Sequence, residues 1–469
     1  MVILDATIVL TAIPSIQEDL NFTVAGVQWV LTGYAVTFGG LMLFFGRVAD
    51  LVGRRGVFLV GVALFVVSSL LCAVAWTGGW LLAARAAQGV SAAIMAPTAL
   101  SIVVSVFRDP TERNQALGVW GALGGIGATA GLLLGGVITA SLGWEWLFYI
   151  NVPIGITILL LVPALIDTSR TKSTSRRFDA AGAVTSTSAL VLLIYAIINA
   201  PEAGWASVQT IVELAVAALL ITLFLVIEAR STAPLVPLRI FKLRGVAAGN
   251  LTILAVGLSV DGMLFPLTLY VQQVLGYSAL QFGLTSALMT VMSILGAFAG
   301  QALVTKLGLR PIAVPALLLI VIGSSLLTAV SVNGTFFGDL LWGLLIFGPG
   351  LGAAFVASQI AALNDVAEEE SGLAAGLVDT SFNIGSALGI AIVMSVALSV
   401  AGGVATDDPA VALTEGLQSA FLVATMFAIL GFLAAFALPG RPADPASTSA
   451  GSAVSFDKAA SSVAGSTQR

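Results

Sequence analysis

Four ionisable residues stand inside long apolar stretches of this chain, and their types decide which chemistry it can perform. Asp5 lies in VILDATIVL, Arg85 in LLAARAAQGV, Asp261 in LSVDGMLF and Asp379 in GLVDTSFNIG. A charged side chain near mid-membrane is costly, so it persists where it faces protein or a wet cavity and has a task there. The chain has no histidine and one cysteine, Cys72. Zinc sites built on histidine, histidine triads and histidine pH switches are therefore excluded, as is an internal disulfide, and proton chemistry falls to carboxylates. No metal site is expected.

Asp5 is the leading candidate for a group that binds and releases a proton; the alternative is a buried hydrogen bond to a neighbouring helix. At about 1.5 Å per residue from the outer ends of their stretches, Asp5 lies roughly 13 Å deep and Arg85 roughly 8 Å deep. The two can pair if their helices pack, and substrate or a proton would then compete for the pair. The other reading of Arg85 is a side chain snorkelling to the headgroups. Asp261 and Asp379 are further candidates for proton or cation recognition. Beside Asp379, Thr380, Ser381 and Asn383 form a polar patch that can equally bond one helix to another.

The elements that must position these residues are membrane helices. A chain 58% hydrophobic and 9% charged, with a mean hydropathy of +1.06, has too little polar surface for a water-soluble globule of 469 residues. A span needs roughly 20 apolar residues, and that length divides the chain into about fourteen. All but one of the nineteen Lys and Arg residues fall in alternate gaps, at residues 47–55, 108–113, 170–177, 230–244 and 306–310 and in the tail after Leu438. Basic gaps stay in the cytoplasm, which puts both termini inside. The net charge of -5 gives no basic patch for nucleic acid. Gly-rich runs such as GALGGIGATAG lie within an apolar span and lack a phosphate-loop lysine, so they read as helix packing, and no soluble stretch is large enough for a nucleotide-binding domain. The acidic run 368–370 reads as a solvated loop.

The first span, residues 1–14, reaches only about 21 Å as a helix, which predicts a true start upstream. A signal peptide is the rival reading, but a basic leading region is missing. An internal repeat aligns Asp5 with Asp261 and Gln17 with Gln273, and with a one-residue shift Gly53 with Gly308 and Arg55 with Arg310. The expected organisation is an N-terminal six-helix bundle over residues 1–167, two inserted spans with flanking loops over 168–244, a C-terminal six-helix bundle over 245–438, and a disordered cytoplasmic tail over 439–469.

Several segments resemble the major facilitator superfamily, and within it the fourteen-span drug:proton antiporters. GRVADLVGRRG from Gly46 is similar to the loop motif between the second and third helices, LDATIVLTAIP from Leu4 to the first-helix motif, and RAAQGVSAA from Arg85 to the fourth-helix motif. WEWLFYINVPIG from Trp144, PLVPLRIF from Pro234 and the two extra spans point to the fourteen-span branch. The chain departs from the antiporter motif of the fifth helix, where Gly131 is followed by Leu132 in place of proline before Gly135 and Gly136, and it has Glu145 where a basic residue is usual. Loss of that proline removes a kink and its freed carbonyl.

The resemblance implies an all-α major facilitator fold of two six-helix bundles plus two inserted helices. It implies a secondary exporter of drug-like or amphipathic compounds in the cell membrane, working as a monomer by proton antiport and alternating access, with no cofactor other than the proton gradient. Gly46, Asp50, Gly53, Arg54 and Arg55 would form a cytoplasmic gate, with the acid near a helix N-terminus of the other bundle and the cations pairing across the interface. A neutralising protonation of Asp5 or Asp261 would shift the balance between inward and outward states. Partners are a small-molecule substrate and membrane lipid. The nearest alternative is an exporter of one metabolite, lipid or siderophore. A membrane-embedded enzyme, a sensor and a channel are more distant ones, set against by the lack of histidine, the repeat and the loop motif.

Overall fold

The computed structural model describes residues 1–107, 110–166, 180–231, 234–364, 366 and 371–438. The tail over 439–469, the basic gap 170–177, the acidic run 368–370 and the side chain of Asp50 lie outside the described residues. Within them every long apolar stretch is helical, the expected outcome in hydrocarbon, where a backbone must satisfy its own polar groups.

The first span is segmented: α1 (Val2–Ile8), a 3-10 turn (Val9–Ala12) and α2 (Ile13–Asp19) follow one another without a loop. Pro14, in the first turn of α2, has no N–H to donate into the preceding turn. The helical path thus runs to Asp19, beyond the expected end at residue 14, and spans about 27 Å. The short α3 (Val24–Val27) leads into α4 (Trp29–Val52), followed by α5 (Arg54–Ala73), α6 (Gly78–Val106), α7 (Pro110–Leu142), the short α8 (Trp146–Tyr149) and α9 (Asn151–Leu165). The inserted pair is α10 (Ala180–Ala203) and α11 (Val208–Arg230). The second bundle comprises α12 (Arg244–Leu269), α13 (Ala279–Leu307), α14 (Arg310–Leu327), α15 (Leu341–Asn364), α16 (Ser371–Ala401) and α17 (Pro409–Ala435). Among the described residues thirteen helices are long and apolar enough to cross a membrane, and the segmented first span brings the count to the expected fourteen.

In the first bundle α6 packs on α4 and α5, α9 on α5, and α7 on α1; in the second, α12 packs on α15, α16 and α17, while α15 also holds α13 and α14. The bundles meet along two seams, α7 with α13 and α4 with α16. Small residues set both seams. A Cβ on Gly136 would stand 2.6 Å from the carbonyl oxygen of Ala279, and one on Gly39 would stand 2.8 Å from the Cβ of Asn383. Helix α10 lies over the second seam, where Ile194, Ile197 and Ile198 share a buried cluster with Ala35 and Val36 of α4 and Ala387 and Ala391 of α16. Helix α11 packs on α10 and turns an otherwise exposed apolar surface outward, including Val208, Ile211, Leu219 and Leu223.

Candidate functional site

Asp5 comes from the middle of α1, Arg85 from the second turn of α6 and Asn151 from the first residue of α9. Gln88 lies three residues beyond Arg85 on the same helix face. These four side chains are fully buried and meet at one point. Arg85 Nη1 donates to Asp5 Oδ2 at 2.6 Å. The other carboxylate oxygen, Oδ1, accepts from Gln88 Nε2 at 2.8 Å and from Asn151 Nδ2 at 2.7 Å. Arg85 is held in turn by Gln88 Oε1 at 2.6 Å and by the Val30 carbonyl, which accepts from Nε at 2.9 Å. Its guanidinium lies 4.4 Å from the ring centre of Tyr34 and 5.8 Å from that of Phe148, with both rings supplying a negative face.

A buried ion pair of this kind offsets its desolvation only when further hydrogen bonds satisfy both partners, and here α1, α4, α6 and α9 all contribute. Two atoms in the cluster remain unpartnered: Arg85 Nη2 and Asn151 Oδ1. Gln88 and Asn151 were not singled out by the sequence, although both lie in the segments RAAQGVSAA and WEWLFYINVPIG. The available signal was an amide in an apolar stretch, spaced three from Arg85 for the one and at the start of a span for the other.

The remaining candidates lie apart from this cluster. Asp261, in α12, is hydrogen-bonded to Ser386 of α16. Asp379 lies near the start of α16, where Asn383 Nδ2 donates to its backbone carbonyl at 2.8 Å. Among the described residues neither acid forms an ion pair. The polar patch beside Asp379 does join helices, since Ser381 Oγ donates to Asn250 Oδ1 of α12 at 2.8 Å. The two bundles are therefore chemically unequal. The offset that matches GVSAA at Gly89 with GLGAA at Gly350 sets Ile346 opposite Arg85, so the second bundle has the acid without the arginine.

Near the basic loop, Gly53 takes a φ of +124° at the end of α4, a turn that favours glycine. Gly46 faces Pro97 of α6. Arg54 Nη1 donates to the Ser101 carbonyl at 3.3 Å, and Arg55 Nη2 to the Pro163 carbonyl at 3.0 Å in the last turn of α9, where backbone carbonyls lack helix partners. Both contacts are within the first bundle. On α7, Gly131 and Gly135 face α1, where a Cβ would stand 3.0 Å from the Leu4 carbonyl and 2.7 Å from the Ile8 carbonyl respectively, while Gly136 faces α13. Helix α7 runs unbroken through Leu132.

At the end distal to the basic loop the bundles are tied together by amides. Gln273 Nε2 donates to Gln17 Oε1 at 3.0 Å, and Gln272 Nε2 to the Thr11 carbonyl at 3.1 Å. Gln17 and Gln273 are the residues that the internal repeat sets opposite one another.

The model of the Major Facilitator Superfamily matches residues 1–390 and 250–465. The chain belongs to this superfamily. It is 36% identical over 418 residues to the cephamycin export protein CmcT of Amycolatopsis lactamdurans, covering 86% of this chain and 84% of that one. It is 34% identical over 439 residues to the puromycin resistance protein pur8 of Streptomyces alboniger, covering 92% and 86%. It is 35% identical over 409 residues to the MFS-type transporter EfpA of Mycobacterium tuberculosis, covering 84% and 74%. In fold it is similar to a bacterial homologue of the human lysosomal transporter Spinster in an inward-facing, unoccupied conformation, with a TM-score of 0.64 at 16% identity over 95% of this chain and 96% of that one. Membership makes the protein a multi-pass membrane transporter of the superfamily.

Proposed function

We propose that this transporter exports drug-like or amphipathic organic compounds across the cell membrane, from the cytoplasm outward, in exchange for protons. The observation that carries the reading is the buried Asp5–Arg85 pair with its amide donors. In a histidine-free chain it offers a carboxylate that a proton can neutralise, and neutralisation weakens its hold on the arginine. Loss of that contact between α1 and α6 alters the first bundle, and a difference in proton affinity between two states is what shifts their balance. No further cofactor is needed. The basic gaps orient the chain with both termini in the cytoplasm, and the cytoplasmic gate is assigned to Gly46, Asp50, Gly53, Arg54 and Arg55.

The names of the relatives support export of antibiotics and related compounds. Because CmcT and pur8 are each named for one compound, export of a single metabolite is the second reading. Dye efflux in everted vesicles, with and without an imposed proton gradient, tests the proposal: efflux should follow the gradient and collapse with an uncoupler. Counterflow without any gradient dependence would remove the proton from the mechanism while leaving a carrier.

A further inference from the structure

The cluster around Asp5 holds an asymmetry that bears on how a proton can reside there, an inference that rests on the proton-coupling reading of Asp5. As a carboxylate, Asp5 only accepts, and it receives three donors. Once protonated it carries an O–H that needs an acceptor, in a site furnished with donors. Arg85 has no acceptor atom. Gln88 has one, but its Oε1 already accepts from Arg85 Nη1 at 2.6 Å and lies 3.6 Å from Cys72 Sγ, while its Nε2 also donates to Ser69 Oγ at 2.9 Å. Turning the Gln88 amide over would set its amino group against Arg85 Nη1, a donor facing a donor, and would give up the short bond that holds the arginine. Asn151 differs, because its Oδ1 is buried without a partner. Half a turn about its last torsion, which is broad and two-fold for an amide, breaks one hydrogen bond and offers an acceptor in its place.

We propose that Asn151 is a positioning residue whose carboxamide turns over as Asp5 gains and loses its proton, presenting the amino group to the carboxylate and the carbonyl oxygen to the acid. The proton comes from water and stays on the Asp5 oxygen; Asn151 exchanges only the direction of one hydrogen bond. Among the described residues, the other titratable or charged side chains that face Asp5 are Arg85 from α6, Tyr34 from α4 and Cys72 from α5. None of them is a second carboxylate. Helix α7 presents glycine to this part of α1, and α8 presents Phe148 to the arginine. Without the turnover, the buried O–H would lack an acceptor, which on its own lowers the protonated population on the order of 10- to 100-fold.

Infrared difference spectra of the purified full chain between neutral and acid pH test the proposal, recorded on wild type with and without 13C-labelled asparagine, on Asp5→Asn and on Asn151→Thr, whose hydroxyl can both donate and accept. The expected wild-type spectrum gains a carboxylic-acid C=O band on acidification together with an amide C=O shift that moves with the label. Asp5→Asn should lose both features, and Asn151→Thr should keep the acid band and lose the amide shift. An acid band that depends on Asp5 without a label-sensitive amide shift, or an amide shift that survives in Asn151→Thr, would make Asn151 a fixed donor and overturn the proposal while leaving the coupling reading intact. A spectrum unchanged in Asp5→Asn would overturn both.

Discussion

A carboxylate that must load and unload a proton differs from one that only ties helices together, and conservative substitutions separate the two roles. Asparagine keeps hydrogen-bonding capacity and loses titration, so Asp5→Asn is expected to insert and accumulate normally yet lose gradient-driven efflux in everted vesicles. Asp5→Glu should retain part of it, limited by an extra methylene in a fully buried site. Full proton-driven export by Asp5→Asn at normal expression would hand the role to Asp261 or Asp379. Asp261→Asn should have a milder or substrate-dependent effect, because its side chain bonds a serine and not an arginine. At this scale the sequence was partly legible. Asp5 and Arg85 stood out because charge in an apolar stretch is rare, and similar depths made them candidate partners. Gln88 and Asn151 carry no charge, so nothing in their own positions separated them from the amides and hydroxyls that commonly bond membrane helices.

The helices were legible through their apolar length, whereas their contacts were not, since a helix that is hydrophobic all round does not declare which face meets which neighbour. The segmented first span shows the limit: length alone ended it at residue 14, while the structure carries it to Asp19 past a proline placed where a helix tolerates one. Gly136 shows it again, as it was read from an antiporter-type motif but acts as a contact between α7 and α13. Gly136→Val should therefore force that seam apart, lowering stability by about 1–3 kcal/mol and slowing transport, read as a reduced melting temperature in detergent together with efflux rate. A melting temperature equal to wild type would mean that the seam yields. The loop between α4 and α5 calls for a rate measurement. Asp50→Asn should leave membrane insertion and substrate binding in place and slow transport severely, because the cytoplasmic gate proposed for this loop would lose its acid while the binding surface is untouched. Normal efflux would make Asp50 an ordinary loop acid.

Across the whole molecule, orientation and opening are the quantities to measure. Reporter fusions after Arg113 and Arg244 should read cytoplasmic and those after Glu202 and Asp408 external, because basic residues occupy only the first pair of gaps. Opposite signals at two of these sites would discard the fourteen-span arrangement. The glutamine tie at the distal end supplies a second test. In a Cys72→Ser background, Gln17→Cys and Gln273→Cys bridged by a bifunctional methanethiosulfonate long enough to replace the two glutamine side chains should stop transport, and reduction should restore it. Continued transport by the cross-linked protein would show that this end need not part. The two-bundle plan was visible in the repeat and the charge alternation. The direct bond between Gln17 and Gln273 was not, because a repeat pairs positions by sequence and says nothing of how closely a pseudo-symmetry axis brings them together.

Helix α10 makes the two sides of the carrier unequal toward the surrounding lipid. With Ile194, Ile197 and Ile198 wedged over the line between α4 and α16, and Ser395 Oγ donating to the Ile197 carbonyl at 2.8 Å, that flank is shuttered against sideways entry. An amphipathic compound dissolved in the leaflet would find its lateral doorway on the opposite flank, between α7 and α13, where glycine backbones form the wall.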